Sequence, residues 1–435
     1  MSLSPGQCDV KKISLSNHTK TKRADSASGE NGVKLIEFIN SIDIIESVFA
    51  SHIIADVSFN DGADFKETFD ISGGEDFEIE FLGFGSAIPL KYKLKVVQMM
   101  NLIPSNNLRA KNYTLRMASP ELLVDSAHNI CKSYAAGTKL IVSDIIGKFL
   151  GSKKPLFVED TKDPPLVIIP NMSPFKAIDF IRQRSVSSKY KSSTFLFYED
   201  NAQYNFVTIE GILERNAKLA KQKFFQKEGV SENIKGAEAT TTDKDSFRIF
   251  QNYTVKDLFN INEYFKNGAL QSSVHQYDVT TKSYTTKLFQ NNPSNKIFYD
   301  FADAKNPDIT NTLFSEYSKY INKPFLIPFS KYKDSVNPST NFVFETLAER
   351  VCFSNLFTHE KTYIDIPGNT QIKAGQIIEL DIPSYQSKVT NLKNNPMDSG
   401  MYLVTTVRHS VKIADSSKYD THLELMRFGK GVYPK

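Results

Sequence analysis

The chain has 435 residues, too many for one compact core and enough for about two to four domains. Its 53 basic and 49 acidic side chains nearly cancel, and a net charge of +4 gives no whole-chain field that demands nucleic acid or an acidic membrane as partner. Cys8, Cys131 and Cys352 are widely separated and outside any CxxC or Cys/His cluster, which argues against a disulfide framework or zinc site and fits a reducing place of synthesis.

Met1 to Asn31 is rich in Ser, Lys, Asn and Asp, lacks an apolar h-region and shows no periodicity. Residues 1–31 are therefore expected to form a flexible arm, because so little apolar surface does not offset the entropy of ordering them. No later stretch offers about 18 uncharged apolar residues, so a secreted or membrane-spanning protein is not expected. From Val33 to Leu102, the runs Lys34 to Phe38, Ile53 to Phe59, Phe77 to Leu82 and Tyr92 to Val97 are separated by turn-formers such as Asn60-Asp61-Gly62 and Ser72-Gly73-Gly74. That spacing predicts a small barrel or sandwich.

At Ser119-Pro120-Glu121 the pattern changes. Ser119 suits a cap, Pro120 the first helical position, and Leu123, Ala127, Ile130, Cys131 and Tyr134 fall on one face until Gly137, which predicts a helix. A second helix carries Ile141, Ile145 and Phe149 to Gly151, and a third opens at Ser173-Pro174 with Phe175, Ile178 and Ile181 inward. Strand composition returns from Thr194 to Ile209, with Glu199-Asp200-Asn201 as the turn. Lys221 to Ser246 is polar, and the aromatic-rich stretch to Pro338 is long enough to predict an inserted subdomain rather than a bare loop.

The closing block is the most regular. Ile378, Leu380 and Ile382 alternate with acids before Pro383; Met401, Leu403, Thr405 and Val407 alternate with Tyr402, Val404, Thr406 and Arg408; Leu423 and Leu425 flank Glu424. These read as half-buried antiparallel strands. With turns at Pro367-Gly368-Asn369 and Asp415-Ser416-Ser417, Lys361 to Arg427 is expected to be a second small barrel.

The chemistry-bearing residues mostly have structural explanations. His359-Glu360 starts like HExxH, but Tyr363 takes the second His position. His409 and His422 stand on neighbouring strands and read as strand-face polar residues. Cys131 follows His128 by three positions, yet the helix turns it into the apolar row as an inert thiol. Gly83-Phe84-Gly85 is followed by Ile88 where a dinucleotide fingerprint needs Gly, and no phosphate-loop Lys-Ser/Thr occurs. A glycosidase needs two acids assembled in space, and Glu46, Glu199 and Asp200 are the candidates. Asp43 and Glu46 border a strand-to-turn region, Glu199-Asp200 sits in a hairpin turn, and the chain has no Trp for a sugar platform. Lys11, Lys12, Lys20, Lys22 and Arg23 form one basic cluster and Lys218, Lys221, Lys223 and Lys227 another; both read as solvated surface, with Glu228 and Glu232 weakening a nucleic-acid groove. No catalytic, cofactor-binding or metal-binding residue is assigned.

Three blocks stand in order. The first is Ile42-Asp43-Ile44-Ile45-Glu46-Ser47-Val48-Phe49, leading to Asn60-Asp61 and then Ser72-Gly73-Gly74-Glu75-Asp76 before Phe77 to Phe81. The second is Ile169-Pro170-Asn171-Met172-Ser173-Pro174-Phe175, followed by Phe195-Leu196-Phe197-Tyr198-Glu199. The third is Ile366-Pro367-Gly368-Asn369, Ala374-Gly375-Gln376-Ile377-Ile378-Glu379-Leu380, Ile382-Pro383-Ser384, Ser399-Gly400-Met401-Tyr402-Leu403-Val404 and Leu423-Glu424-Leu425. Together they resemble the baseplate central hub of contractile-tailed bacteriophages, a family akin to the hub half of type VI secretion spike proteins. Residues 1–31 and much of Gln222 to Pro338 are unmatched.

The resemblance implies a β-rich α+β fold: two small antiparallel β-barrel domains flank a mixed α/β middle region and assemble as a trimeric ring. It divides the chain into an arm (1–31), a first barrel (32–117), a middle α/β domain (118–210), a connection with an inserted subdomain (211–341) and a second barrel (342–435). Three copies would present six barrels around an axial channel, matching a hexameric tail tube on one side and a trimeric spike or needle on the other. The implied partners are further copies of the chain, the spike, the tube or its initiator, the surrounding wedge proteins, and DNA in transit during ejection. The implied setting is the virion tail baseplate after synthesis in the bacterial cytoplasm, with no cofactor, no catalysis and no membrane anchor. Because the chain ends at Lys435 soon after the second barrel, no fused spike domain is expected. The rival readings are a tail-associated peptidoglycan-degrading enzyme using Glu199-Asp200, and a receptor or carbohydrate binder using some of the 19 Tyr and 32 Phe, most of which are expected in the core.

Overall fold

The computed structural model describes residues 3–4, 6–17, 23–25, 34–104, 110–162, 167–217, 219, 222–226, 249–250, 252–256, 262, 266–267, 271–278, 282–290, 324–329, 346–348, 350–351, 354, 361–383, 398–413 and 418–426. Strands β1 (Cys8–Ser16), β2 (Arg23–Asp25), β3 (Ile39–Ser47), β4 (Ile54–Asp61), β5 (Asp76–Gly83), β6 (Leu90–Pro104) and β7 (Lys111–Ala118) come first, with a short helix α1 (Phe65–Phe69) after β4. They pair antiparallel in the order β3-β4-β7-β6-β5-β1-β2. Alternation explains the register. In β5, Phe77, Ile79 and Phe81 face the core between Glu78 and Glu80; in β6, Leu90, Tyr92 and Leu94 do so between lysines. Asp76, Glu78 and Glu80 stand opposite Lys95, Lys93 and Lys91 and pair with them at 2.8, 3.2 and 3.1 Å. A slip of one residue would drive three lysines into the core.

Two expectations are corrected here. Residues 8–16 and 23–25 of the expected arm are strands, and Ile13 and Leu15 are fully buried. Their few apolar groups make no core alone, but they complete one because β1 lies along the edge of β5 and β2 along β1. The run Lys34 to Phe38 holds a 3-10 turn, Leu35–Glu37, in place of a strand.

The middle region follows as α2 (Pro120–Ala127), β8 (Ile130–Tyr134), α3 (Thr138–Asp144) continuing through a π-turn at Ile145–Phe149, β9 (Leu156–Val158), β10 (Thr161–Lys162), β11 (Val167–Met172), α4 (Pro174–Arg182), β12 (Val186–Ser187), β13 (Phe195–Glu199), β14 (Tyr204–Thr208) and α5 (Ile209–Ala217). The second and third predicted helices are present, with Ile141, Ile145, Ile178 and Ile181 in one core. The first stops early. His128 is extended, and 130–134 is a strand paired with β11. Ile130 and Tyr134, four apart, share a face in a helix and in a strand alike, so the pattern did not discriminate. Cys131 accordingly lies exposed on β8 and not in an apolar row.

The third part begins with β15 (Gln222–Gln226), β16 (Ile249–Phe250) and β17 (Tyr253–Lys256). Next comes a separate sheet, β18 (Gln271–Asp278), β19 (Ser283–Gln290) and β20 (Pro324–Phe329), in the stretch where an inserted subdomain is expected. Last are β21 (Lys361–Pro367), β22 (Ile377–Asp381), β23 (Gly400–Lys412) and β24 (Lys418–Met426). β15 lies parallel to β22 and β17 antiparallel to β21. The turn expected at Asp415-Ser416-Ser417 and the segment after Met426 lie outside the described residues.

The expectation of two closed barrels is corrected. Among the described residues no barrel closes; fourteen strands form one continuous sheet. The joint is β23, 13 residues long. Along one edge it pairs first with β22 and then with β3, while β24 follows the other edge. The β23–β24 hairpin therefore serves two cores, giving Val411 and Tyr419 to the first and Val404, Val407, Leu423 and Leu425 to the second. Tyr419 clasps the joint: its N–H donates to Gly6 O at 2.8 Å, its carbonyl accepts from Gly368 N at 2.8 Å, and its ring meets Phe81 edge-on at 5.4 Å. A Cβ on Gly368 would lie 1.9 Å from Tyr419 Cδ1, so only glycine fits there.

Candidate functional site

The acids that sequence reasoning singles out converge on the junction between the sheet and the middle region, but they face different ways. Glu199 ends β13 and is 2% exposed. Its carboxylate accepts from Ser119 Oγ at 2.6 Å, from Ile53 N at 3.3 Å and from Lys154 Nζ. The same lysine reaches Glu121 at 3.1 Å, and Ser152 Oγ donates to Glu121 at 2.6 Å. Burial pushes the Glu199 carboxyl up while Lys154 and Ser119 pull it down. Two buried carboxylates thus share one ammonium, an arrangement that ties α2, β13 and the 152–154 segment to the start of β4. A general acid must touch a substrate oxygen, and a side chain 1% exposed presents none of its carboxylate to a polysaccharide. Glu121 and Lys154 carry no sequence signal; an acid in a helix's first turn is ordinary.

Asp200 behaves as the hairpin-turn residue its sequence suggests. Its Oδ1 accepts from Ala202 N at 2.7 Å and Gln203 N at 3.0 Å, and its Oδ2 from Asn205 Nδ2 at 2.8 Å. Asp43 faces outward and holds Arg408 through two bonds of 3.2 and 2.8 Å. Glu46, three residues on, faces inward at 1% exposure. Tyr92 Oη donates to its Oε1 at 2.8 Å, and Oε2 has no partner. Burial, above all, pushes this carboxyl up to about 7; the Tyr92 bond lowers it, Asp200 and Glu199 raise it, and Lys373 lowers it.

His409 lies on the same inner face, two residues from the position opposite Glu46. Its Nδ1 meets Tyr419 Oη at 2.8 Å, and burial lowers its pKa to about 3, so the ring is neutral. His422 points outward to Asp365; the two histidines are on opposite faces and share no metal. Among the described residues no group of His, Cys, Asp and Glu has metal-holding geometry. His128 stacks on Phe149 at 6.2 Å, apart from any nucleophilic role. Gly83 packs on Tyr419 and Gly85 forms a turn at φ +72. The basic clusters are partly neutralised within strands: Lys12 pairs with Glu78, and Lys223 with Glu379 and Asp381. His18, Lys20, Lys22, Lys218, Lys221, Lys227, Cys352 and the His359-Glu360 pair lie outside the described residues. No described helix is long and apolar enough to cross a membrane.

No protein-family model matches this chain, and no curated protein matches it. Solved structures do. A tail protein from Neisseria meningitidis MC58 superposes with a TM-score of 0.55 at 8% identity, covering 97% of this chain and 99% of that one. The fold is that of a tail protein. The 43 kDa tail protein of prophage MuSo2 from Shewanella oneidensis superposes with a TM-score of 0.52 at 10% identity, covering 96% of this chain and 98% of that one. The tail-protein fold thus spans nearly the whole chain, at identities where sequence comparison alone is silent. It agrees with the resemblance carried by the Ile42, Ile169 and Ile366 blocks.

Proposed function

We propose that this chain is the non-catalytic central hub of a phage-type contractile tail, a homotrimer that joins a hexameric tube to a trimeric spike and lets DNA pass along its axis. The observation that carries the reading is the tail-protein fold over 97% of the chain, combined with two half-sheets tied by one hairpin. Each half-sheet has its own core, so three copies would offer six sheet units around an axis, a match for both symmetries. On this reading the tube or its initiator, the spike and the wedge proteins are the neighbours, and the virion baseplate is the location. The burial of Glu199 favours this structural role over peptidoglycan hydrolysis.

Self-association has a concrete surface to use. Beyond Val96, whose backbone bonds Gly74 and Glu75, β6 pairs with β7 alone among the described residues, and this segment exposes Val97, Leu102 and Ile103 at 38, 50 and 60%. An unpaired strand edge with apolar side chains is covered in stable proteins; a second copy would cover it. Light-scattering mass at micromolar concentration, alone and with the spike, is expected to give three chains, and Leu102→Asp with Ile103→Asp to return one. A single chain under both conditions would overturn the trimer.

A further inference from the structure

A cavity of about 300 Å³ opens where the end of the β13–β14 hairpin and helix α5 meet the turn before β22. Its walls include Tyr198, Asp200, Asn205, Arg215, Asn216 and Lys373. Three features distinguish it from a packing gap. First, Tyr198 is 3% exposed and lines the cavity, and its Oη forms no hydrogen bond among the described residues, which leaves the hydroxyl available to a ligand there. Gly375 stands directly over that hydroxyl: at φ +85, a Cβ there would come 2.5 Å from Tyr198 Oη. Second, Arg215 and Lys373 line the space without a carboxylate partner among the described residues. The Arg215 guanidinium is held 4.4 Å above the Phe157 ring and reaches Asn205 Oδ1 only at 3.5 Å, which leaves most of its fork unengaged. Third, the one acid of the wall is already filled, since Asp200 accepts two backbone N–H groups and the Asn205 amide. Among the described lining residues, two cations stand against one acid, a surplus positive charge.

The walls are also built to stay in place. Asn216 Nδ2 donates to Ile212 O at 2.7 Å and to Gly375 O at 2.8 Å, fixing the turn against α5.

The geometry points to a binding site for a small oxyanion, a carboxylate or phosphate group, that accepts a hydrogen bond from Tyr198 Oη and neutralises Arg215 and Lys373. Guanidinium and ammonium donors around a partly enclosed space are the groups that recognise either oxyanion. A bound anion would touch the middle region and the second half-sheet at once. It would therefore stabilise their junction by mass action.

The test uses the full chain at low ionic strength. Inorganic phosphate and succinate are titrated separately by calorimetry, with sodium chloride of matched ionic strength as the control. Saturable binding of at least one anion is expected, together with a rise in melting temperature that chloride does not reproduce; which of the two binds tells phosphate from carboxylate. Tyr198→Phe removes only a hydroxyl without an internal partner, so its melting temperature without ligand should stay the same while affinity falls. Lys373→Gln should weaken binding at least tenfold, and Lys373→Arg should retain most of it. Absence of saturable binding for both anions, or unchanged affinity in both Tyr198→Phe and Lys373→Gln, would overturn the site. Neither result bears on the hub reading, which rests on the fold and is tested by the mass in solution.

Discussion

The acids on the outer face of β5 and the acids at the domain junction are the same residue types in opposite surroundings. Asp76, Glu78 and Glu80 meet lysines 27 to 79% exposed, where water screens each pair and leaves it worth little. Glu46, Glu121 and Glu199 are 1 to 6% exposed, where an unmatched charge is costly. The outer acids therefore select a register without contributing much stability, whereas the inner ones make the junction depend on particular partners. A chain that needs rigid domains can place its specificity in the second kind.

Removing the shared cation should have the largest effect. Lys154→Met leaves Glu121 and Glu199 facing each other without an ammonium, and chemical denaturation should show a loss of about 3 kcal/mol. Gly368→Ala tests the apolar side of the junction; the new methyl collides with Tyr419, and a loss of about 2 kcal/mol or more is expected, against about 1 kcal/mol for the uncrowded positive-φ control Gly85→Ala. An equal loss at both glycines would remove the clasp from the account.

Glu46 gives a signed pH test. Its carboxyl titrates near 7 in the folded chain and near 4.5 when unfolded. Between those values the folded state holds a proton the unfolded state has lost, so this group lowers stability as pH rises from 4.5 to 7 and costs a constant amount above. Glu46→Gln mimics the protonated acid and keeps an acceptor for Tyr92. It should gain up to about 3 kcal/mol at pH 8 and little at pH 4. His409 acts with the opposite sign: its pKa near 3 means that stability from this ring rises with pH between about 3 and 6.5. A Glu46→Gln variant with an unchanged stability–pH curve would mean the carboxyl is not the buried proton carrier. The smallest effect should come from the ladder: Lys93→Ala is expected to cost no more than about 0.5 kcal/mol by thermal melting.

Legibility follows the range of the forces. The period-two strands β4, β5, β22 and β24, the helices α3 and α4 and the β13–β14 hairpin were readable because each buries a face fixed by its own residues. β8 was not, since a four-residue spacing fits helix and strand equally, and β1 was not, since its burial depends on β5. Glu46, Glu199 and Asp200 stood out as acids, but their sequence neighbours do not reveal that Tyr92, Lys154 and Asn205 hold them. Arg215 and Lys373 showed no signal, and Tyr198 stood out only as part of the Phe195–Glu199 strand; they become a site only when α5 and the turn before β22 are brought together.

By itself, the sequence determined a β-rich chain with a helical middle, near-neutral charge and no local catalytic signature, because composition and periodicity act within a few residues. Tertiary structure alone decided that the expected pair of barrels is one sheet joined at β23. That pairing links residues 41–47 to 406–412, and strand partners so far apart are selected by the whole core rather than by any local pattern.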